Sequence, residues 1–302
     1  MQSQTIQMPY ESIARISKTA KENMTAKHPK KNGKTYKSLR KRYLRYALNL
    51  EPASCAKALN RLMSYENRNV EFGYQSSLFS VKDTQTLYVS ERSRLAWYFD
   101  GIDERLKTLE EQYLLQLVDL QEGNSVLDCG ANIGEFGVLL RHLFPPVRYI
   151  AFEPSESDKL TCEKNNPDGE VHLLGLWNRI GQLDLYLKTD TADSSFVEIA
   201  DFSKKISTPI TTIDDLFQKG ELKKIHLLKL EAEGGEPEVL QGAEKSLEHI
   251  KYITADLGPE RGISQDNTVA SVTNTLTSRG YRMLGFNPVR QVCLFENMDF
   301  SE

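Results

Sequence analysis

The chain has 302 residues, 39% of them hydrophobic and 26% charged, which is ordinary globular usage with enough apolar content for a sizeable core. No run approaches the ~20 apolar residues needed to span a bilayer, and the N-terminus (MQSQTIQMPYESIARISK) lacks a signal-peptide core. Cys55, Cys129, Cys162 and Cys293 stand far apart without metal-ligand or redox spacing, so no metal site is expected, and reduced thiols in the cytoplasm are. The net charge of −4 is uneven: residues 15–45 hold twelve Lys/Arg against one acid, Glu22, a local +11 that leaves −15 on the rest.

In chain order, 10–20 reads as a short helix and 24–37, with Pro29 and Gly33 among lysines, as a loop. Leu39, Tyr43, Leu44, Ala47 and Leu48 then recur at helical spacing, as do Ala56, Leu59 and Leu62 after Pro52. Phe79-Ser80-Val81 and Leu87-Tyr88-Val89, separated by a polar stretch, read as a β-hairpin. Residues 1–90 thus form a basic, mainly helical N-terminal region. Its charge fits a solvated helix face, nucleic-acid contact, or peripheral contact with an anionic lipid or glycolipid surface.

Residues 91–302 form a second, Rossmann-like unit. Its first part, 91–121, reads as helical, with Leu106, Leu109, Tyr113, Leu114, Leu117 and Leu120 on one stripe. Strands and helices then alternate, the signature of a parallel sheet. Core strands are expected at 125–128, 147–152, 171–176, 225–230 and 252–255, with added antiparallel strands at 182–187 and 207–213. Helices are expected from about Ser155, at Pro237 and from about Val269. The runs 281–286 and 291–295 read as a terminal antiparallel pair.

The most informative stretch is VLDCGANIGEFG, residues 126–137. A strand ending on Asp128, a glycine turn and a helix start place backbone N–H groups at the carboxyl edge of the sheet, where open α/β sheets bind ligands. Gly130 and Gly134 allow close approach to backbone. Glu153 ends the next strand 23 residues after Gly130, the spacing at which an acid accepts both hydroxyls of a ribose. The Gly-x-x-x-Gly spacing departs from the Gly-x-Gly-x-x-Gly of dinucleotide sites, and an acid at the strand end repels a pyrophosphate. A nucleoside with a zwitterionic amino-acid end, S-adenosylmethionine, fits better. Asp128 then places negative charge near its ammonium.

VLDCGANIGEFG, then AFEPS, then HLLKLEAEGGEPEVLQGAE resemble, in that order, the FkbM family of S-adenosylmethionine-dependent methyltransferases over about residues 91–300. The resemblance implies a class I methyltransferase fold of seven strands with the last pair antiparallel, and O-methylation of sugars or hydroxylated natural products. It implies that Asp128, Gly130, Ala131, Asn132 and Gly134 hold the methionine end, and that Glu153 with Pro154 holds the ribose. Trp177 follows the third strand, where adenine lies in this fold, although an interior tryptophan is the competing reading. The family usually carries Asp where Glu231 stands, so the acid here is one methylene longer.

Methyl transfer to oxygen needs alignment and removal of a hydroxyl proton. The acids at the ends of strands four and five, Glu231, Glu233 and Asp256, are the candidate bases. Lys229 either pairs with them or orients the acceptor oxygen. His226 sits at the wrong end of its strand. Glu236 is read as stabilising a helix N-terminus as readily as acting. Trp97, Tyr98 and Tyr113 precede the core and either close over the site or pack. Two rivals accompany the hydroxyl-bearing small-molecule or glycan acceptor: a nucleic-acid or protein methyltransferase using the basic segment, and a binding module without chemistry. Against the nucleic-acid reading, no Asn/Asp-Pro-Pro-Tyr/Phe-like run follows strand four.

Overall fold

A computed structural model describes residues 34–188 and 193–301. The expected helix at 10–20 and most of the expected 24–37 loop lie outside them. The last four residues of that loop instead open α1 (Lys34–Leu48). Tyr36 and Arg40, one turn apart, both reach Glu66 of α2 (Pro52–Glu66), the latter at 2.7 Å. That pairing extends the helix over a lysine-rich start. Pro52 sits in the first turn of α2, where no N–H is needed.

The expected hairpin is a three-stranded antiparallel meander, β1 (Glu71–Gln75), β2 (Leu78–Lys82) and β3 (Thr86–Val89). Ser76 (φ 51°) and Ser77 (φ 64°) make the β1–β2 turn, both left-handed as a type I′ turn requires. Without Asn or Gly there, the turn and β1 carry no sequence signal.

The helix expected over 91–121 is broken into a 3₁₀ segment at Arg92–Tyr98, α3 (Ile102–Gln112) and a 3₁₀ turn at Leu115–Leu117. Gly101 (φ 104°) and Leu114 (φ 59°) break it. Leu106, Leu109 and Leu120 are buried as the stripe implies, but Leu117, at the end of the 3₁₀ turn, is 46% exposed.

The main sheet contains β4 (Ser125–Cys129), β5 (Arg148–Phe152), β6 (Glu170–His172), β11 (Ile225–Leu230), β12 (Ile250–Asp256), β13 (Tyr281–Asn287) and β14 (Val292–Asn297). Their order is β13-β14-β12-β11-β4-β5-β6, with β14 antiparallel to both of its neighbours, β13 and β12, and every other pair parallel, the class I methyltransferase arrangement. The helices are α4 (Glu135–Leu143), α5 (Glu156–Asn165), α6 (Ile213–Gln218), α7 (Glu236–Gln241) and α8 (Val269–Thr277). Side chains alternate across the sheet: Val126 and Leu227 join a core that includes Leu59, Val81 and Leu106, while Leu127 and Leu228 join one with Val239 and Leu276. Burial on both faces explains why these strands read as continuous apolar runs.

The third expected strand, 171–176, is two strands. β6 stays in the main sheet, and β7 (Gly175–Leu176) leaves it to pair parallel with β10 (Lys204–Thr211). A four-stranded second sheet results, β7-β10-β8-β9, with β8 at Gly181–Lys188 and β9 at Asp193–Ser195. A Cβ on Gly175 would lie 2.4 Å from the Phe196 ring, so glycine permits the crossing. Among the described residues no helix is long and apolar enough to cross a membrane.

Replacing Ser76-Ser77 by Asn-Gly relieves two left-handed serines and should stabilise the protein by roughly 1 kcal/mol, read as a higher urea midpoint at unchanged slope.

Candidate active site

The parallel strands end in one cleft at the carboxyl edge of the main sheet. Its lining includes Gly130, Ala131 and Asn132 of the glycine turn, Glu153 and Pro154 after β5, and Lys229, Glu231, Ala232 and Glu233 at the end of β11. Leu176 and Leu185 of the second sheet, with Phe196 just after β9, form another wall. Arg94, Trp97, Arg105 and Tyr113 arrive from the segment before the sheet.

Lys229 is the centre of the polar network. It stands beside Asp128 in register across β11 and β4. Its Nζ donates to Asp128 Oδ1 (2.9 Å) and to the Gly130 carbonyl (2.7 Å), and pairs with Glu231 Oε2 (2.9 Å). Burial would strip its proton, but Asp128 and Glu231 outweigh that and hold its pKa well above the ordinary lysine value. Asp128 is fully buried and also accepts from Tyr149 Oη (2.6 Å). It lies behind the cleft and does not line it, its charge being met by Lys229 and Tyr149.

Glu231 accepts from Tyr113 Oη (2.7 Å) and pairs with Arg290 Nη2 (3.1 Å) as well as with Lys229. Burial raises its pKa, yet Lys229 and Arg290 bring it down to about 2. A carboxylate paired with two cations is held in its ionised form, and Glu231 joins Lys229 to Arg290 across the cleft wall. Asp256, the second candidate base, is buried off the cleft, where Arg290 Nε donates to its Oδ2 (3.0 Å). Glu233 lines the cleft with φ 48°, and its carbonyl accepts from Ser195 Oγ (2.8 Å). Glu236 is buried and accepts from the Ala232 and Gly234 amides (both 3.0 Å) and from Thr268 (2.8 Å), so it ties the turn to its helix. His226 accepts from the Ser125 amide at the start of the sheet, away from the cleft.

Glu153 is buried at the end of β5. Its Oε2 accepts from the Asn132 amide (2.7 Å) and Oε1 from the Ser155 amide (2.8 Å), leaving a lone-pair direction open on each oxygen. Burial, then Asp158, raises its pKa to about 8. This is a buried carboxyl in a cleft, ready to be ionised by two hydroxyl donors. With Arg94 (Nη1 to Asn132 Oδ1, 2.6 Å) at the glycine turn and the apolar edge of Phe152, Pro154 and Leu176, the donors suit a nucleoside carrying a zwitterionic tail.

The glycines have structural reasons. A Cβ on Gly130 (φ 74°) would lie 1.9 Å from the Glu231 carbonyl oxygen, and one on Gly134 (φ 80°) 2.2 Å from Asn166 Nδ2. Gly134 faces α5 and does not line the cleft. Trp177 also lies off the cleft, buried against Phe196 and Gly235, so the interior reading holds for it.

Sequence reasoning missed Arg94, Arg105, Glu135, Glu260 and Arg290 as cleft residues. Glu260 follows β12 by four residues, so the strand-edge rule that singled out Asp256 would have found it one turn of loop later. Arg290 sits in the β13–β14 turn, an antiparallel edge to which that rule does not apply. Arg105 binds Glu135 through both oxygens (2.8 Å each), a pairing with no sequence pattern.

A family model described as the methyltransferase FkbM domain matches residues 128–283, just over half of the chain. The hexuronic acid methyltransferase AglP of Haloferax volcanii is 29% identical over 154 residues, covering 47% of this chain and 59% of the relative, so the match spans less than two thirds of that protein. Methyltransferase 1 of Beauveria bassiana is 25% identical over 184 residues, 52% of this chain and 71% of the relative. The 2-O-methyltransferase NoeI of Sinorhizobium fredii is 23% identical over 188 residues, 55% of this chain and 76% of the relative.

Lys229→Met leaves Asp128 buried without its cation and should cost about 3–5 kcal/mol in denaturant unfolding, whereas adding Asp128→Asn to it should restore part of that loss.

Proposed function

The chain belongs to the FkbM methyltransferase family, and from that premise we propose that it transfers a methyl group from S-adenosylmethionine to a hydroxyl of a sugar or small hydroxylated metabolite. The observation that carries the reading is the buried Glu153 carboxyl, with both oxygens still open, in one cleft with the Lys229–Glu231 anchor. S-adenosylmethionine supplies an electrophilic methyl on a sulfonium. Glu153 accepts the two ribose hydroxyls, and Phe152, Pro154 and Leu176 flank the base. Asn132 and Arg94 meet the methionine end, Arg94 taking its carboxylate. Lys229 fixes the Gly130 carbonyl, and with it the turn along which that end lies. Glu231 keeps a negative charge near a cationic cofactor.

The hydroxyl acceptor is supported by the names of two relatives, one a hexuronic acid methyltransferase and one a 2-O-methyltransferase. Four buried, unbridged thiols fit a reducing, cytoplasmic setting. A nucleic-acid acceptor would draw instead on Lys37, Lys41, Arg42 and Arg45, exposed along α1. Salt separates the two: transfer of labelled methyl to glucuronic acid should be nearly unchanged between 50 and 200 mM salt, whereas nucleic-acid binding falls steeply over about that range.

Binding of S-adenosylhomocysteine tests the ribose assignment. With its pKa near 8, Glu153 is largely protonated at neutral pH, and hydroxyl donors favour its ionised form. Calorimetry near pH 7 in buffers of different ionisation enthalpy should therefore show proton release, vanishing well above the pKa. Glu153→Gln should abolish the release and weaken binding by about 10- to 100-fold; unchanged affinity rejects the assignment.

A further inference from the structure

Of Glu135, Glu153, Glu231, Asp256 and Glu260, one is free to take a proton among the described residues. Glu231 is bound by Lys229, Arg290 and Tyr113, and Asp256 is bound by Arg290 and lies off the cleft. Glu153 holds two amides beside the nucleoside end, and Glu135 is clamped by Arg105 and Tyr98. Glu260 differs. It lines the cleft from the loop after β12, is half-buried, and its carboxylate makes no hydrogen bond or ion pair among the described residues. Its loop is well held: the Glu260 amide donates to the Gly258 carbonyl (2.9 Å), and the next residue, Arg261, pairs with Glu238 (2.6 Å). The side chain is therefore uncommitted on a fixed backbone, on the wall it shares with Glu231 and Arg290.

Resting on the methyltransferase reading above, we propose that Glu260 is the catalytic residue that removes the proton from the acceptor hydroxyl. The hydroxyl proton passes to a Glu260 oxygen as the hydroxyl oxygen forms the new C–O bond. The S–C bond breaks with its electron pair left on sulfur, and the carboxylic acid then returns its proton to solvent. The groups facing Glu260 set its strength as a base. Burial, Asp256 of β12 and Glu231 beyond β11 raise its pKa to about 8, Glu236 of α7 adds to this, and Arg290 of the β13–β14 turn opposes it. A base poised near working pH is the efficient case for proton transfer. Glu260 must be ionised to act, so the rate should rise with pH through about 8.

The test pairs an activity with a direct titration of the full chain. With methyl-labelled S-adenosylmethionine and glucuronic acid as acceptor, Glu260→Gln should lower transfer by about 100-fold or more, while its affinity for S-adenosylhomocysteine stays within about twofold. Glu260→Asp should recover part of the rate. Carbon-13 carboxyl NMR of glutamate-labelled protein should show a resonance titrating near pH 8 that is missing from Glu260→Gln. A Glu260→Gln variant that transfers at the wild-type rate overturns the inference, as does a Glu260 midpoint below pH 6, which needs no acceptor to measure. Wild-type protein that labels neither glucuronic acid nor a panel of neutral sugars overturns the sugar-acceptor reading and this inference with it. Loss of cofactor binding in Glu260→Gln also overturns it, by placing Glu260 in the cofactor site.

Discussion

The cleft depends on one ammonium group. Lys229 is buried in a protein interior, where an isolated charge would cost several kcal/mol, and it is tolerated because three oxygens surround it. They come from three places that folding must bring together: the end of β4, the glycine turn after it, and the residue beyond β11. The register of β11 against β4 puts Lys229 directly beside Asp128, so the pair forms as the strands do. Gly130 completes the arrangement, since any side chain there would strike the Glu231 carbonyl. Fold and site are therefore joined at a single contact.

From that contact, charge alternates outward. Asp128, Lys229, Glu231, Arg290 and Asp256 follow one another with signs reversing at each step. An alternating chain lets buried charges persist because each is satisfied by its neighbours. It also sorts the acids by their surroundings. Glu231, between two cations, is locked in its ionised form, whereas Glu153 and Glu260, close to other acids and short of cations, are pushed toward neutrality. One cleft thus holds carboxyl groups of very different proton affinity, set by the charges that each one faces.

The parallel core was legible in the sequence because its strands are buried on both faces and end in turns with distinctive residues. Ile225–Leu230 is found where the apolar run predicts it, and Glu153 follows β5 directly and lines the cleft. The glycine motif was legible as a motif, and the structure adds a packing reason for it, since Gly134 lies against Cys162 and Asn166. Segments whose conformation is set by distant partners were harder to read. Ser76-Ser77 turns without the residues that announce such a turn, and Leu114 interrupts an apolar stripe that gave no sign of a break. Pattern also assigns acids to a strand end without telling which face the cleft. Asp128 and Asp256 sit at the correct edge yet point into protein, and the difference lies in pairing with Lys229 and Arg290 across large sequence separations.

The second sheet is separate from the first in strand pairing but shares its core, with Leu176 and Ile210 packed among Ile150, Phe152 and Leu228. β7 contributes two residues, paired to β10 at Ile210 and Thr211. The stretch between that junction and the return of the chain, including Leu185 of β8 and Phe196 just after β9, stands outside the main sheet while forming a wall of the cleft. Such a segment behaves as a cassette. Its length and side chains can drift in evolution, or be exchanged by design, while the register that secures Lys229 stays intact, because lengthening a surface excursion costs little. Its outer strands can then change while Leu176 and Ile210 keep the core they share with the main sheet.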